Sequence, residues 1–552
     1  MSGTSKLSPR PSSTLILLRE GADGHEVFLL QRSHNASFVA GAYVFPGGSV
    51  DAADADPRVL ARVRGLSDAQ ASARLGVERG GLAWWVAAVR ECFEEGGILL
   101  AHDETGAPLD EARTAALDAW RARLHGGELS FAEFLERERL VIPADRIAYY
   151  ANWITAPGRA RRFDTRFFVA LAPAGQGGSH DNTEMIENAW LAPREALTRH
   201  ARGEIELVFA TQQTLSDLGR FTRREEAYAY AANLTEIETN RACWAIGPDG
   251  EKRLFRRLDA PYFEIHWSDP GETGATRFDI VPGLAKRLDR LVRRITAPNP
   301  GMMTGPGTNT YLVGEHELTV IDPGPAIDSH IAAILAEGAG RIRRIVCTHT
   351  HLDHSPAVAA LRAATGAQVL GRRAPLHAGQ DASFAPDRVP EHGERIDTGG
   401  VTLRVLHTPG HASNHLCYLI EETRMLFTGD HVMQGSTVVI NPPDGNMLAY
   451  LASLEMLLGE DIAILAPGHG YLIGTPHKEV RRLIAHRLAR EGKLLRALTR
   501  LGSATLDELV APVYDDVPVK LHAMAARSLT AHLGKLVAEQ RVREQAGRYT
   551  PV

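Results

Sequence analysis

The seven residues from Thr348 to His354, THTHLDH, limit what this chain can fold into more than any other stretch. They close the apolar run RIRRIVC, so three histidines and an aspartate stand at the C-terminal end of a predicted strand. Alternate residues of an extended segment share a side. His349 and His351 can therefore reach one ion, while Asp353 and His354 turn toward a second. Neutral imidazole and carboxylate suit Zn2+, and a catalytic zinc site keeps a position open for water. Three further ligands can be found downstream: His411 in HTPGHASNH, Asp430 at the end of RMLFTGD, and His469 in ILAPGHG. Each follows an apolar run and lies beside or near glycine, where the backbone can turn a side chain into a shared cleft. Asp322, in IDPG, ends another such run. His407, His415 and His431 read as structural, and Cys347 as core.

A second cluster lies far upstream. Glu91, Glu94 and Glu95 in VRECFEEGG are spaced i, i+3, i+4, so a helix carries all three carboxylates on one face. Like charges this close repel by roughly a few tenths of a kcal/mol per pair. A hard cation such as Mg2+ or Mn2+ offsets that repulsion. Apolar flanks set this helix against a core, Gly96-Gly97 reads as its C-terminus, and Arg90 adds a cation at the first glutamate.

At 552 residues the chain exceeds a single core, and about three or four domains are expected. A net charge of −6 points to no charged partner, but from Lys478 onward 14 basic residues face 8 acidic ones. That asymmetry is a pointer to nucleic acid. The four cysteines form no CxxC pair, which suits a reducing compartment. The N-terminal apolar run is too short for a signal peptide and no later run approaches a membrane span, so a cytoplasmic location is expected. HWSDPGETGATRFD, residues 266–279, reads as an inter-domain linker. The pattern from Pro476 is almost entirely helical and ends in LVAEQRVRE, read as a small β wing.

Arg90 to Ile98, RECFEEGGI, resembles the second half of the Nudix box, and FPGGSVDAAD resembles its first half, with Asp54 where the family has glutamate. The 35 residues between Asp54 and Arg90 resemble the long-insert branch related to coenzyme A diphosphatases. That resemblance implies hydrolysis of a nucleoside diphosphate derivative, with Glu94 and Glu95 holding Mg2+ or Mn2+ and Glu91 assisting.

The histidine motifs taken in order resemble the metallo-β-lactamase family, which implies an αββα sandwich with two zinc ions. In that resemblance His349, His351 and His411 hold one ion, Asp353, His354 and His469 the second, and Asp430 bridges. Asp353 also takes the proton of the water. From about Arg290 to Arg543 the chain resembles the branch named for beta-lactamase-like protein 2, which implies endoribonuclease activity and a winged-helix tail. Only 57 residues separate His411 from His469, too few for a β-CASP insert.

The expected architecture is multidomain, α/β and α+β. It comprises a Nudix α/β/α domain at 1–265, the linker at 266–279, the sandwich at 280–476 and a winged-helix module at 477–552. The expected function is a bifunctional hydrolase of a small nucleotide-type substrate, possessing a zinc site that cleaves single-stranded RNA. Two other readings stand beside it: a zinc thioesterase like glyoxalase II, and a nucleic-acid-binding regulator with a nucleotide-sensing Nudix domain.

Overall fold

The computed structural model describes residues 8–35, 39–181, 183–375 and 379–552. The chain divides into two compact units, Met1–Ala242 and Cys243–Val552.

In the first unit, alternation of apolar residues builds a sheet buried on both faces. Its strands lie in the order Met185–Leu191, Gly24–Arg32, Arg10–Gly21, Phe163–Leu171, Ala148–Ile154 and Thr239–Arg241. Short strands Tyr43–Val44 and Gly47–Ser49 pair with Gly24–Arg32 and Arg10–Gly21. Leu15, Leu17, Phe28 and Leu30 pack on the helix Leu82–Gly96 through Trp85, Val89 and Phe93. Their neighbours Ile16, Leu18, Val27 and Leu29 face the opposite way, toward Ala196, Leu215 and Ala227 of three helices. The period of two thus gives an α/β/α layering. The helix Leu82–Gly96 ends at Gly97, which adopts the left-handed conformation (φ 65°) that glycine enters without penalty.

The second unit holds two facing sheets. One runs Lys286–Arg287, Val292–Thr296, Asn309–Val313, Leu318–Ile321, Ile342–Val346, Gln368–Leu370. The other runs Arg395–Asp397, Thr402–His407, Leu416–Ile420, Met425–Gly429, Ile464–Pro467. Tyr311, Ile321 and Val346 meet Val405, Tyr418 and Phe427 between them. Outside, Val320 and Ile345 pack on the helices Asp328–Gly338 and Val358–Thr365, while Cys417 and Leu419 pack on Met447–Leu457. This is the αββα sandwich.

Beyond it, the helix Pro476–Leu501 enters two cores. Val480 and Leu483 complete the outer layer of the second sheet. Leu494 and Leu498 instead join Leu509, Val513, Leu529 and Leu536 under a three-stranded sheet. The wing lies later than the sequence suggests: the last helix, His522–Ala538, takes up Leu536 to Ala538, and the hairpin is Val542–Gln545 with Arg548–Pro551. Residues 243–265, expected within the Nudix domain, belong to the second unit. The cause is Glu264, fully buried on the helix Tyr262–Ser268 and paired with Arg294 (2.5 Å) and Lys286 (2.6 Å). A charge buried to this degree needs its partners beside it.

Candidate metal centres

The strand Ile342–Val346 delivers the histidine motif to the end of the sandwich, where Asp322 receives it. Asp322 accepts from the Thr348 backbone and hydroxyl (both 2.7 Å) and lies 2.9 Å from His354 Nδ1. Asp322 itself sits at φ 50°, a strained conformation for a residue with a Cβ. Its sequence signal was the apolar run ending in IDPG.

Three groups of ligand atoms converge among the described residues: His349, His351 and His411; His349, His354 and Asp430; and Asp353, His354 and His469. His351 Nδ1 lies 2.9 Å from His349 Nε2 and 3.1 Å from His411 Nε2. Asp430 stands between the groups. Its Oδ2 is 3.7 Å from His411 Nε2, and its Oδ1 is 3.3 Å from His469 Nε2 and 3.4 Å from His354 Nε2. Asp353 Oδ2 is 3.3 Å from His469 Nε2 and 3.5 Å from His354 Nε2. All seven residues named from the sequence therefore meet in one place.

The opposite ring nitrogens are tethered outside the cluster. His411 Nδ1 donates to the Val439 carbonyl (2.8 Å), His469 Nδ1 to that of Gly307 (3.2 Å), and His354 Nδ1 to Asp322. Each bond fixes a tautomer and aims Nε2 inward, as around metal-ligating histidines. Main-chain carbonyls leave no mark in a sequence, so these supports were not legible there.

The electrostatics divide the cluster. Burial pushes His349 well below its ordinary range and His351 down to about 4, so these two imidazoles are neutral. Burial also opposes charge on His469, but Asp430 and Asp353 overcome it and lift the imidazole to about 9. Asp353 is held down at about 2, its burial outweighed by His354 and His469. Two carboxylates thus hold positive charge beside the neutral His349 and His351, while His354 Nε2 and Asp430 Oδ1 are buried without a hydrogen-bond partner. That donor set fits divalent cations. His415 and His431 are buried behind the cluster, outside the converging groups.

The glutamate site is built differently. Arg90 binds Asp54 at two points (2.8 and 3.0 Å) and reaches Glu91 (2.9 Å) and Glu94 (3.1 Å) through Nη1. Glu95 turns away to accept from the Gly47 backbone at 2.9 Å. The three glutamates share a helix face, but they do not form a group of converging ligand atoms as the histidines do. Arg90 draws two of them and Gly47 the third. Burial, with Arg90 opposing and Glu94 adding to it, raises Glu91 to about 7; burial and then Glu91 raise Glu95 well above the carboxylate range. Gly48 passes so close to Glu91 that an added Cβ would lie 2.5 Å from its carboxylate. Arg121, missed in the sequence, donates to the last carbonyls of this helix at Phe93 (2.9 Å) and Glu94 (3.1 Å).

The basic tail helix is less open than its composition suggests. Arg487 is buried, Arg490 is bonded to Asp516 (2.6 Å) and the Val513 carbonyl, and Arg482 pairs with Glu479.

Comparison with known proteins places these sites in families. Residues 303–469 match the metallo-beta-lactamase superfamily model. The chain is 32% identical to an atrochrysone carboxyl ACP thioesterase of Aspergillus chevalieri over 280 residues, 48% of this chain and 86% of that protein. This chain belongs to the metallo-beta-lactamase superfamily. It is also 34% identical to thioesterase pkgB of Emericella nidulans, spanning 43% of this chain and 67% of that one. A beta-lactamase-like protein 2 homolog of Drosophila melanogaster is 30% identical, over 48% of this chain and 93% of its own length. Residues 505–548 match the beta-lactamase associated winged helix domain, and residues 69–220 match the NUDT19 Nudix domain. The chain is therefore a hydrolase that joins a Nudix domain to a metallo-beta-lactamase domain and a winged helix. No helix among the described residues is long and apolar enough to cross a membrane.

Proposed function

We propose that the metallo-beta-lactamase domain hydrolyses a small acyl thioester and that the Nudix domain hydrolyses a nucleoside diphosphate derivative, with coenzyme A chemistry common to both. The observation that carries the first half is Asp430, whose two oxygens face the two ligand groups. In this reading His349, His351 and His411 would hold one Zn2+ and Asp353, His354 and His469 a second, with Asp430 available to both. When bound, such a pair supplies Lewis acidity and a water of lowered pKa. Asp353, which accepts from the Thr308 hydroxyl at 3.4 Å, would be the group placed to take a proton from such a water. His469 and His411, tethered through Nδ1, keep their inner nitrogens aligned.

The rim supports an acyl substrate. Met302 and Met303, 81% and 51% exposed, stand between Asn299, which binds Thr308, and Gly307, which accepts from His469. Leu352, between His351 and Asp353, is 56% exposed. Such apolar surface suits an acyl chain better than a polyanion, and two of the relatives are named thioesterases. In the Nudix half, Glu94 and Glu95 hold Mg2+ or Mn2+, and Glu91 assists.

Cleavage of single-stranded RNA is the second reading, motivated by the basic tail and weakened by the pairing of its arginines. Regulation by DNA binding needs neither ligand set. Purified protein assayed against acyl-CoA, CoA, ADP-ribose and RNA, with metal content measured on the same sample, separates them. Thioester release that disappears with the metal in Asp430→Ala is expected, as is diphosphate hydrolysis that disappears only in Glu94→Gln. RNA cleavage without thioester release would reverse the order.

A further inference from the structure

We infer that Arg487, beyond every ligand in the sequence and on the helix Pro476–Leu501, is a positioning residue for the three-histidine pocket; this rests on the reading of His411 as a metal ligand. His411 is aimed by the Val439 carbonyl at 2.8 Å. Val439 lies between Asp430 and the helix Met447–Leu457 in a segment without strand or helix, so no ladder of hydrogen bonds holds that carbonyl in place. Arg487 supplies the hold: its Nη2 donates to Val438, the adjacent carbonyl.

The same guanidinium sits 5.5 Å from the ring centroid of Tyr450. Tyr450 donates to the His431 carbonyl at 3.0 Å, next to Asp430. It also packs against Gly410, next to His411, where an added Cβ would lie 2.3 Å from the Tyr450 Cα. One side chain, 3% exposed, therefore braces the neighbours of two ligands. Burying an arginine is costly unless its donors are used; here Nη2 is spent on the segment that supports the site, while Nε has no partner. A helix that follows every proposed ligand in the sequence thus contributes to the centre.

The test is metal affinity, a quantity that loss of packing alone leaves in place. Arg487→Met keeps the length and removes the donors. Arg490→Met, at a position also buried on the same helix but bonded to Asp516 and Val513, is the control. Apoprotein titrated with Zn2+ against a chelator should show roughly 10-fold or greater weakening of one equivalent in Arg487→Met, the range seen when supports of metal ligands are removed. Arg490→Met should stay within about two-fold of the parent chain, even with a lower melting temperature, and Co2+-loaded Arg487→Met should show an altered visible spectrum. Equal affinity in the two variants overturns the inference. If Arg487→Met does not fold, Arg487→Lys carries the test, and parental affinity there overturns it. His411→Ala separates the premise: two ions retained means that His411 is no ligand, whereas one ion lost with Arg487→Met unaffected refutes positioning alone.

Discussion

Arg90 and Asp54, 36 positions apart, form a buried two-point ion pair with Nε–Oδ1 at 2.8 Å and Nη2–Oδ2 at 3.0 Å. The insertion that separates the two halves of the Nudix box in sequence is closed by this pair in space. Asp54 is only 1% exposed, so a mutation there removes the two-point partner of a buried cation, leaving it only its Nη1 bonds to Glu91 and Glu94 and its Nη2 bond to the Ser49 carbonyl. Asp54→Asn should destabilise the first unit by roughly 3 kcal/mol, as breaking buried pairs does. Asp51→Asn, whose side chain is 65% exposed and 3.8 Å from Arg90, should cost less than about 1 kcal/mol. Urea unfolding followed by tryptophan fluorescence measures both, and equal costs would contradict the pairing.

A pH dependence follows from His532. Burial, then Arg487, Lys535 and Arg490, push this imidazole down to about 3. The unfolded chain binds its proton near 6.5, so stability from this group is complete above that pH and is lost as pH falls toward 3. The slope is about 1.4 kcal/mol per pH unit inside that window. His532→Leu should flatten the acid limb by about that slope, read from melting temperatures between pH 4 and 7. An unchanged limb would mean that the proton is accommodated.

Gly468 has room for a hydrogen only. A Cβ there would lie 2.7 Å from Asp430 Oδ1 and 2.8 Å from His354 Cε1. Gly468→Ala should fold with a modest loss of stability and bind metal at least about 10-fold more weakly, since both displaced groups are proposed ligands. Metal content after dialysis is the measurement.

For the tail, Arg481→Gln combined with Arg482→Gln should leave any RNA affinity and its salt dependence unchanged, because Arg482 is already paired with Glu479. A salt slope reduced by roughly 0.7 per arginine would instead restore the tail as a phosphate-binding surface.

The histidine-aspartate cluster was legible because its residues stand at the ends of apolar runs, and strand ends in a sandwich converge. The Nudix helix was legible through the spacing of Glu91, Glu94 and Glu95, but spacing says nothing of Arg90 competing for them. Carbonyl supports at Val439 and Gly307 have no side-chain signature. The winged helix was legible, but the packing of its basic residues was not, for a physical reason. Helical period reveals an apolar face, whereas Arg487, Arg490 and Lys535 are polar residues enclosed by partners distant in sequence. The Gly- and Pro-rich 266–279 suggested a boundary, while Glu264 tied the preceding helix to the second unit.

The helix Pro476–Leu501 has a thermodynamic consequence. Its first half belongs to the outer layer of the sandwich and its second half to the winged-helix core. Neither core can melt while this helix stays intact, and the helix cannot fray at one end without exposing apolar residues of one of them. The two should therefore unfold in a single cooperative transition, as one foldon. A chain cut before Pro476 would keep every proposed metal ligand and lose the layer that Val480 and Leu483 complete.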